Sequence, residues 1–116
     1  MGFLRPHTDR IGRRGERLAA RHLRRRGYRI LARRWRTPAG EIDLLCLHHA
    51  VLVVVEVKTT RSGSVPASRI DAAKRRRLRS AIRYVSSLRR ESARLDVVLV
   101  RLRPRHVQVE QDVIRS

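Results

Sequence analysis

Between Ile11 and Leu23 the positions Ile11, Gly15, Leu18, Ala19, His22 and Leu23 recur at three- and four-residue spacing, so they line one stripe of a helix. Thr8 suits its N-cap and Gly27 its stop, with residues 1–7 preceding it as a loose basic arm. "YRILARRWR" then reads as a strand that Pro38 and Gly40 break from the next. Residues 41–47 and 51–59 read as two more strands joined at "HHAV", and "TTRSGSVPAS" reads as a loop. Ser68 and Asp71 have capping-box spacing. The helix they open carries Lys74, Leu78, Ala81, Ile82, Val85 and Leu88 on one stripe, which aims Lys74 inward. "LDVVLVRLR" is a strand, Pro104 begins a turn, and "HVQVEQDVI" alternates as a final edge strand. The order of helix, three strands, helix and two strands predicts one α/β domain over residues 1–116, a mixed sheet flanked by helices. No repeat or linker interrupts it.

Composition adds a partner to this picture. A chain of 116 residues with 29 Lys plus Arg against 10 Asp plus Glu carries a formal charge of +19. Self-repulsion of that size calls for a polyanion, and nucleic acid is the expected one. The excess is almost all arginine, whose planar fork suits phosphate. With 3% aromatics, phosphate and shape contacts should outweigh base stacking. No stretch approaches the roughly 20 apolar residues of a membrane span and the N-terminus has no apolar signal core, so a soluble, cytoplasmic protein is expected. The lone cysteine, Cys46, leaves no intrachain disulfide and no cysteine-cluster zinc site.

Against that charge, "GEIDLLCLHHAVLVVVEVK" places three acids and one of two lysines in the most apolar part of the chain. Strand alternation puts Glu41, Asp43, Leu45 and Leu47 on one face, and Ile42, Leu44 and Cys46 on the other. Glu56 and Lys58 share a face in the next strand. A loop of His49–Ala50, or of residues 48–51, gives one register, in which paired residue numbers sum to 99. Asp43 then lies opposite Glu56, and Glu41 opposite Lys58, with paired Cβ atoms about 4.5–5.5 Å apart. His49 and Ala50 are poor residues for a two-residue primed turn, so the wider loop is expected.

Two carboxylates held so close repel unless a proton or a cation joins them. Carboxylate oxygens with waters and a substrate phosphate are the preferred surroundings of Mg²⁺, and Lys58 at the edge could hold water or stabilise phosphate charge. These parts suit phosphodiester hydrolysis. The structural alternative is a pair of strand-end salt bridges.

The ordered set "GRRGERLAARHLRRRGYRIL", "GEIDLL", "VEVK", the inward lysine and "RLDVVLV" resembles the YraN family of small bacterial proteins over about Gly12 to Val100. That family is similar in fold to archaeal Holliday-junction resolvases and belongs to the PD-(D/E)XK nuclease superfamily. The resemblance implies a restriction-endonuclease-like core and a Mg²⁺- or Mn²⁺-dependent endonuclease acting on DNA, branched DNA included. It implies that Asp43 is the metal-binding aspartate and that Glu56 and Lys58 form the Glu-X-Lys pair. It also implies that Glu16 is an additional acid for the metal, and that Lys74 is the second-helix residue reaching the site. Arg13, Arg14, Arg75, Arg76 and Arg77 are the expected phosphate contacts, and a homodimer follows by analogy with resolvases. A nucleic-acid-binding protein with a nuclease-like fold but no turnover is the alternative. Valines stand where many relatives carry a phenylalanine before the Glu-X-Lys strand.

His48 and His49, adjacent in sequence, point apart and read as a solvated hairpin tip. Trp35 is expected as a core or rim anchor and Cys46 as a small buried apolar residue. Asp96 reads as a cap or an arginine partner.

Overall fold

The structure, a computed structural model, describes residues 6–64 and 70–115. Helix α1 (Pro6–Arg25) is followed by β1 (Arg29–Thr37), β2 (Gly40–His48) and β3 (Val51–Ser62). Helix α2 (Ala72–Arg89) then leads to β4 (Ala93–Arg103) and β5 (His106–Arg115). The strands form one mixed sheet in the order β1-β2-β3-β4-β5, parallel between β3 and β4 and antiparallel elsewhere. Helix α2 makes the crossover that a parallel pair requires.

Three boundaries differ from expectation. The described part of α1 begins at Pro6, ahead of Thr8: proline at a helix start has no N–H to lose and a φ already suited to the helix. Of the expected basic arm, residues 1–5 lie outside the described residues, as does Ser68 of the expected capping box. Asp71 is itself the N-cap of α2, its Oδ1 accepting from the Lys74 N–H at 2.8 Å. Strand β3 outruns its expected end because its parallel ladder with β4 continues to Ser62↔Arg103.

Each face of the sheet is covered by one helix. Leu52 and Val54 of β3 pack with Leu78, Ala81, Ile82 and Val85 of α2. On the other side, Val53 and Val55 pack with Ala19, Ala20 and Leu23 of α1. A strand apolar at consecutive positions is what a sheet buried on both faces requires. Leu88, placed on the α2 stripe by its spacing, is 54% exposed, one residue before the helix ends at Arg89. Helix α1 sits unusually close: a Cβ on Gly15 would fall 1.8 Å from Oγ1 of Thr59 in β3, so only glycine allows this approach.

The β2–β3 hairpin has the expected register, from His48↔Val51 to Leu44↔Val55. Its loop is the narrower alternative. His49 (φ +49°) and Ala50 (φ +65°) form a two-residue primed turn, whose twist matches the strands closely enough to override the residue types. Glycine tolerates that conformation where alanine is strained. Ala50→Gly is therefore expected to stabilise the protein by about 1 kcal/mol, read as a higher urea midpoint with unchanged slope.

Beyond Leu44 the hairpin ladder stops. Leu44 and Cys46 face α1 and Leu45 faces α2 as alternation predicts, but Ile42 also joins the α2-side core. Alternation slips at Asp43, across from the place where β1 carries Arg34 in a left-handed conformation (φ +46°). Strands β2 and β3 thus fork, and Glu41 stays paired with Arg36 of β1 rather than standing opposite Lys58.

Candidate active site at the fork in the sheet

At the fork the Asp43 side chain does what a ladder carbonyl would have done, its Oδ2 accepting from the Val57 N–H at 2.8 Å. This brings its carboxyl group into hydrogen-bond contact with that of Glu56. Glu56 is buried, 6% exposed, and Lys74 of α2 reaches it with Nζ at 2.5 Å from Oε2. The Arg77 guanidinium stands 3.9 Å from the same oxygen and also donates to the Glu41 carbonyl at 3.3 Å. Gly40, at φ +113°, leaves room for that arginine.

Burial pushes the Asp43 carboxyl up to about 8, reinforced by the Glu56 charge, by hydrogen bonding to Glu56 and by the more distant Glu16 charge, against the opposing Val57 N–H. Asp43 thus keeps a proton at neutral pH in the absence of a cation. In the unfolded chain it loses that proton near its ordinary value of 3.8. Its contribution to stability is complete below that value and is lost as pH rises through about 8. Asn at this position can still accept from Val57 and donate to Glu56 without ever ionising. Asp43→Asn is expected to flatten the fall in melting temperature between pH 5 and 9 in EDTA, with a gain of a few kcal/mol at the alkaline end. Parallel pH curves for the two proteins would show that Asp43 is not the titrating group.

The remaining expected site residues are dispersed around this pair. Glu16 lies on α1 beside Arg34, whose Nε donates to its Oε1 at 2.8 Å, and only its longer-range charge reaches Asp43. Lys58 is half-buried, one pleat beyond Glu56 on β3. Arg13, Arg14, Arg75 and Arg76 are exposed, whereas Arg77 turns in toward the carboxylates. Among the described residues no group of three or more His, Cys, Asp or Glu is close enough to hold a metal ion.

Two positions of the fork escaped sequence reasoning. Arg77, expected from the sequence as a phosphate contact, turns in to Glu56 instead, and nothing local distinguished Arg34 from its arginine neighbours. A second polar cluster, on the α1 side of the sheet around Asp96, was legible only as far as an arginine partner for that aspartate. Asp96 is fully buried and accepts from Tyr28 Oη at 2.6 Å, from Arg94 Nε at 2.9 Å and from the Asp112 N–H at 2.8 Å. His48 is buried rather than solvated: its ring stacks on Tyr28 at 3.9 Å and its Nδ1 lies 2.9 Å from Arg94 Nη2. Stacking on Tyr28 removes it from the hairpin tip.

A five-stranded mixed sheet with a helix on each face, carrying an aspartate and a Glu-X-Lys segment on adjacent strands, defines a restriction-endonuclease-like core. The chain belongs to the uncharacterised protein family UPF0102, whose pattern matches residues 15–100 and to which the YraN resemblance points. A UPF0102 protein of Syntrophotalea carbinolica is 45% identical over 105 residues, 86% of this chain and 85% of its own. One from Clavibacter michiganensis subsp. michiganensis is 42% identical over 113 residues, covering 91% and 93% of the two chains. The UPF0102 protein STH1475 of Symbiobacterium thermophilum is 46% identical over 112 residues, covering 87% and 95%. No helix among the described residues is long and apolar enough to cross a membrane.

Proposed function

We propose that this protein is a metal-dependent endonuclease that hydrolyses phosphodiester bonds in DNA, branched DNA included. The observation that carries the reading is the contact between the Asp43 and Glu56 carboxyl groups, buried enough that Asp43 binds a proton where a dication could bind instead. An all-oxygen pair of this kind fits Mg²⁺ or Mn²⁺, with the ion's other positions left to water and phosphate. Asp43 and Glu56 would hold it; Glu16, engaged by Arg34, lies outside the pair and reaches it only as a longer-range charge. When bound, such an ion supplies Lewis-acid stabilisation of charge on the phosphate.

The chain's own groups have separate tasks. The Val57 N–H holds one Asp43 oxygen and Lys74 holds one Glu56 oxygen. Lys58, on the same strand as Glu56, has the charge to orient a water or to offset negative charge developing on the phosphate. Arg13, Arg14, Arg75 and Arg76 are exposed and positioned to hold backbone phosphates.

One observation favours the alternative of a nucleic-acid-binding protein without turnover: Lys74 already engages Glu56, so the pair is partly neutralised with no metal present. Calorimetric titration with Mn²⁺, followed by incubation with labelled duplex, flap, single-stranded and four-way DNA in Mg²⁺ or Mn²⁺, separates the two. Proton-releasing Mn²⁺ uptake with nicking or cutting of some DNA form is the expected result. DNA binding with no metal uptake and no cutting would establish the non-catalytic reading.

A further inference from the structure

The exposed arginines of α1 are ordered. Arg10, Arg14, Arg17, Arg21 and Arg24 recur at alternating spacings of four and three, so they form one stripe on the helix surface turned away from Ala19, Ala20 and Leu23. At 1.5 Å per residue the stripe is about 21 Å long. Two concave furrows adjoin it. One, of about 660 Å³, lies toward the ends of β3 and β4 and is lined by Arg10, Arg13, Arg14, Arg17, Arg61 and Arg103. The other, of about 440 Å³, lies toward β1 and is lined by Arg14, Arg17, Arg21, Arg24 and Arg33. Arg14 and Arg17 line both, and one furrow opens toward the ends of β3 and β4 while the other opens toward β1, across the strand order. None of the described residues lining either is acidic.

We propose that α1 inserts its arginine stripe into the major groove of B-form DNA, with the phosphates of one strand in each furrow. The inference rests on the DNA-binding part of the function proposed above and not on cleavage. It deepens that reading by naming a double helix as the form held. Dimensions support it. A helix with its side chains is about 10–12 Å across, and the B-form major groove is about 12 Å wide. A single strand brings one row of phosphates and leaves one furrow idle. The major groove of A-form RNA is too narrow to admit the helix. With arginine on both flanks and few aromatics, the contact should be governed by phosphate and shape.

The test is equilibrium binding in EDTA, which separates it from any cutting, with a fluorescent 20-base-pair DNA duplex, the matching single strand and an RNA duplex over a range of salt. The DNA duplex should bind at least about tenfold more tightly than either of the others at 0.15 M salt. Arg14→Gln with Arg17→Gln should lower the slope of log affinity against log salt by about two for the DNA duplex, at roughly 0.9 per phosphate contact. The same loss of charge elsewhere, Arg79→Gln with Arg83→Gln on α2, should leave that slope nearly unchanged. Arg103→Gln and Arg33→Gln, one in each furrow, should each weaken duplex binding, and only one of them should weaken single-strand binding. Equal affinity for single strand and duplex in the unmodified protein would overturn the proposal, as would equal losses from the α1 and α2 pairs. Either result would leave metal-dependent cutting untouched.

Discussion

Glu56→Ala is expected to reduce phosphodiester cleavage by on the order of 10²–10⁴-fold while changing DNA affinity in EDTA by less than about twofold. Glu56 is buried within the fork and its carboxylate is engaged by Lys74 and approached by Arg77. Removing it takes away half of the oxygen pair, and the freed Lys74, already one-third exposed, turns to solvent. Lys58→Ala should give a comparable loss of cleavage with Mn²⁺ uptake retained, because the role proposed for the lysine is on water or phosphate and not on the ion. Single-turnover cleavage beside calorimetry distinguishes the two variants. If both kept full cleavage with all metal sites intact, the fork would have no part in the chemistry.

Asp96→Ala should lower the unfolding free energy by about 3–5 kcal/mol, the usual consequence of taking one partner from a buried ion pair. The loss would strand Arg94, whose side chain is only 17% exposed, together with the Tyr28 hydroxyl and the Asp112 N–H. It would also release β5, because Asp96 accepts from the backbone at the place where the β4–β5 register shifts and Asp112 adopts φ +60°. Asp96→Asn keeps the shape and one acceptor and should cost less than half as much. Urea unfolding of the three proteins with a common slope provides the comparison, and an alanine variant as stable as its parent would mean that the cluster is not a structural anchor.

The elements and the hairpin register were legible because apolar periodicity is a property of neighbouring residues, and the pairs from His48↔Val51 to Leu44↔Val55 follow from it. Legibility ended where one side chain replaced a backbone group. Asp43 caps the Val57 N–H, the ladder stops, and the expected Glu41–Lys58 juxtaposition is lost. The role of Asp96 depends on Tyr28, 68 residues away, and could be guessed only as far as its arginine partner. The turn at His49–Ala50 went the other way from its residue types because strand twist outweighed local strain.

Gly15 joins two of these features mechanically. With no side chain to act as a spacer, α1 rests directly on Thr59, three residues along β3 from Glu56, and the next residue of the helix is Glu16. The helix proposed to hold the double strand is thereby seated on the strand that carries the acids. Any side chain at position 15 would lift α1, and with it Arg14 and Glu16, away from the strand that carries Glu56.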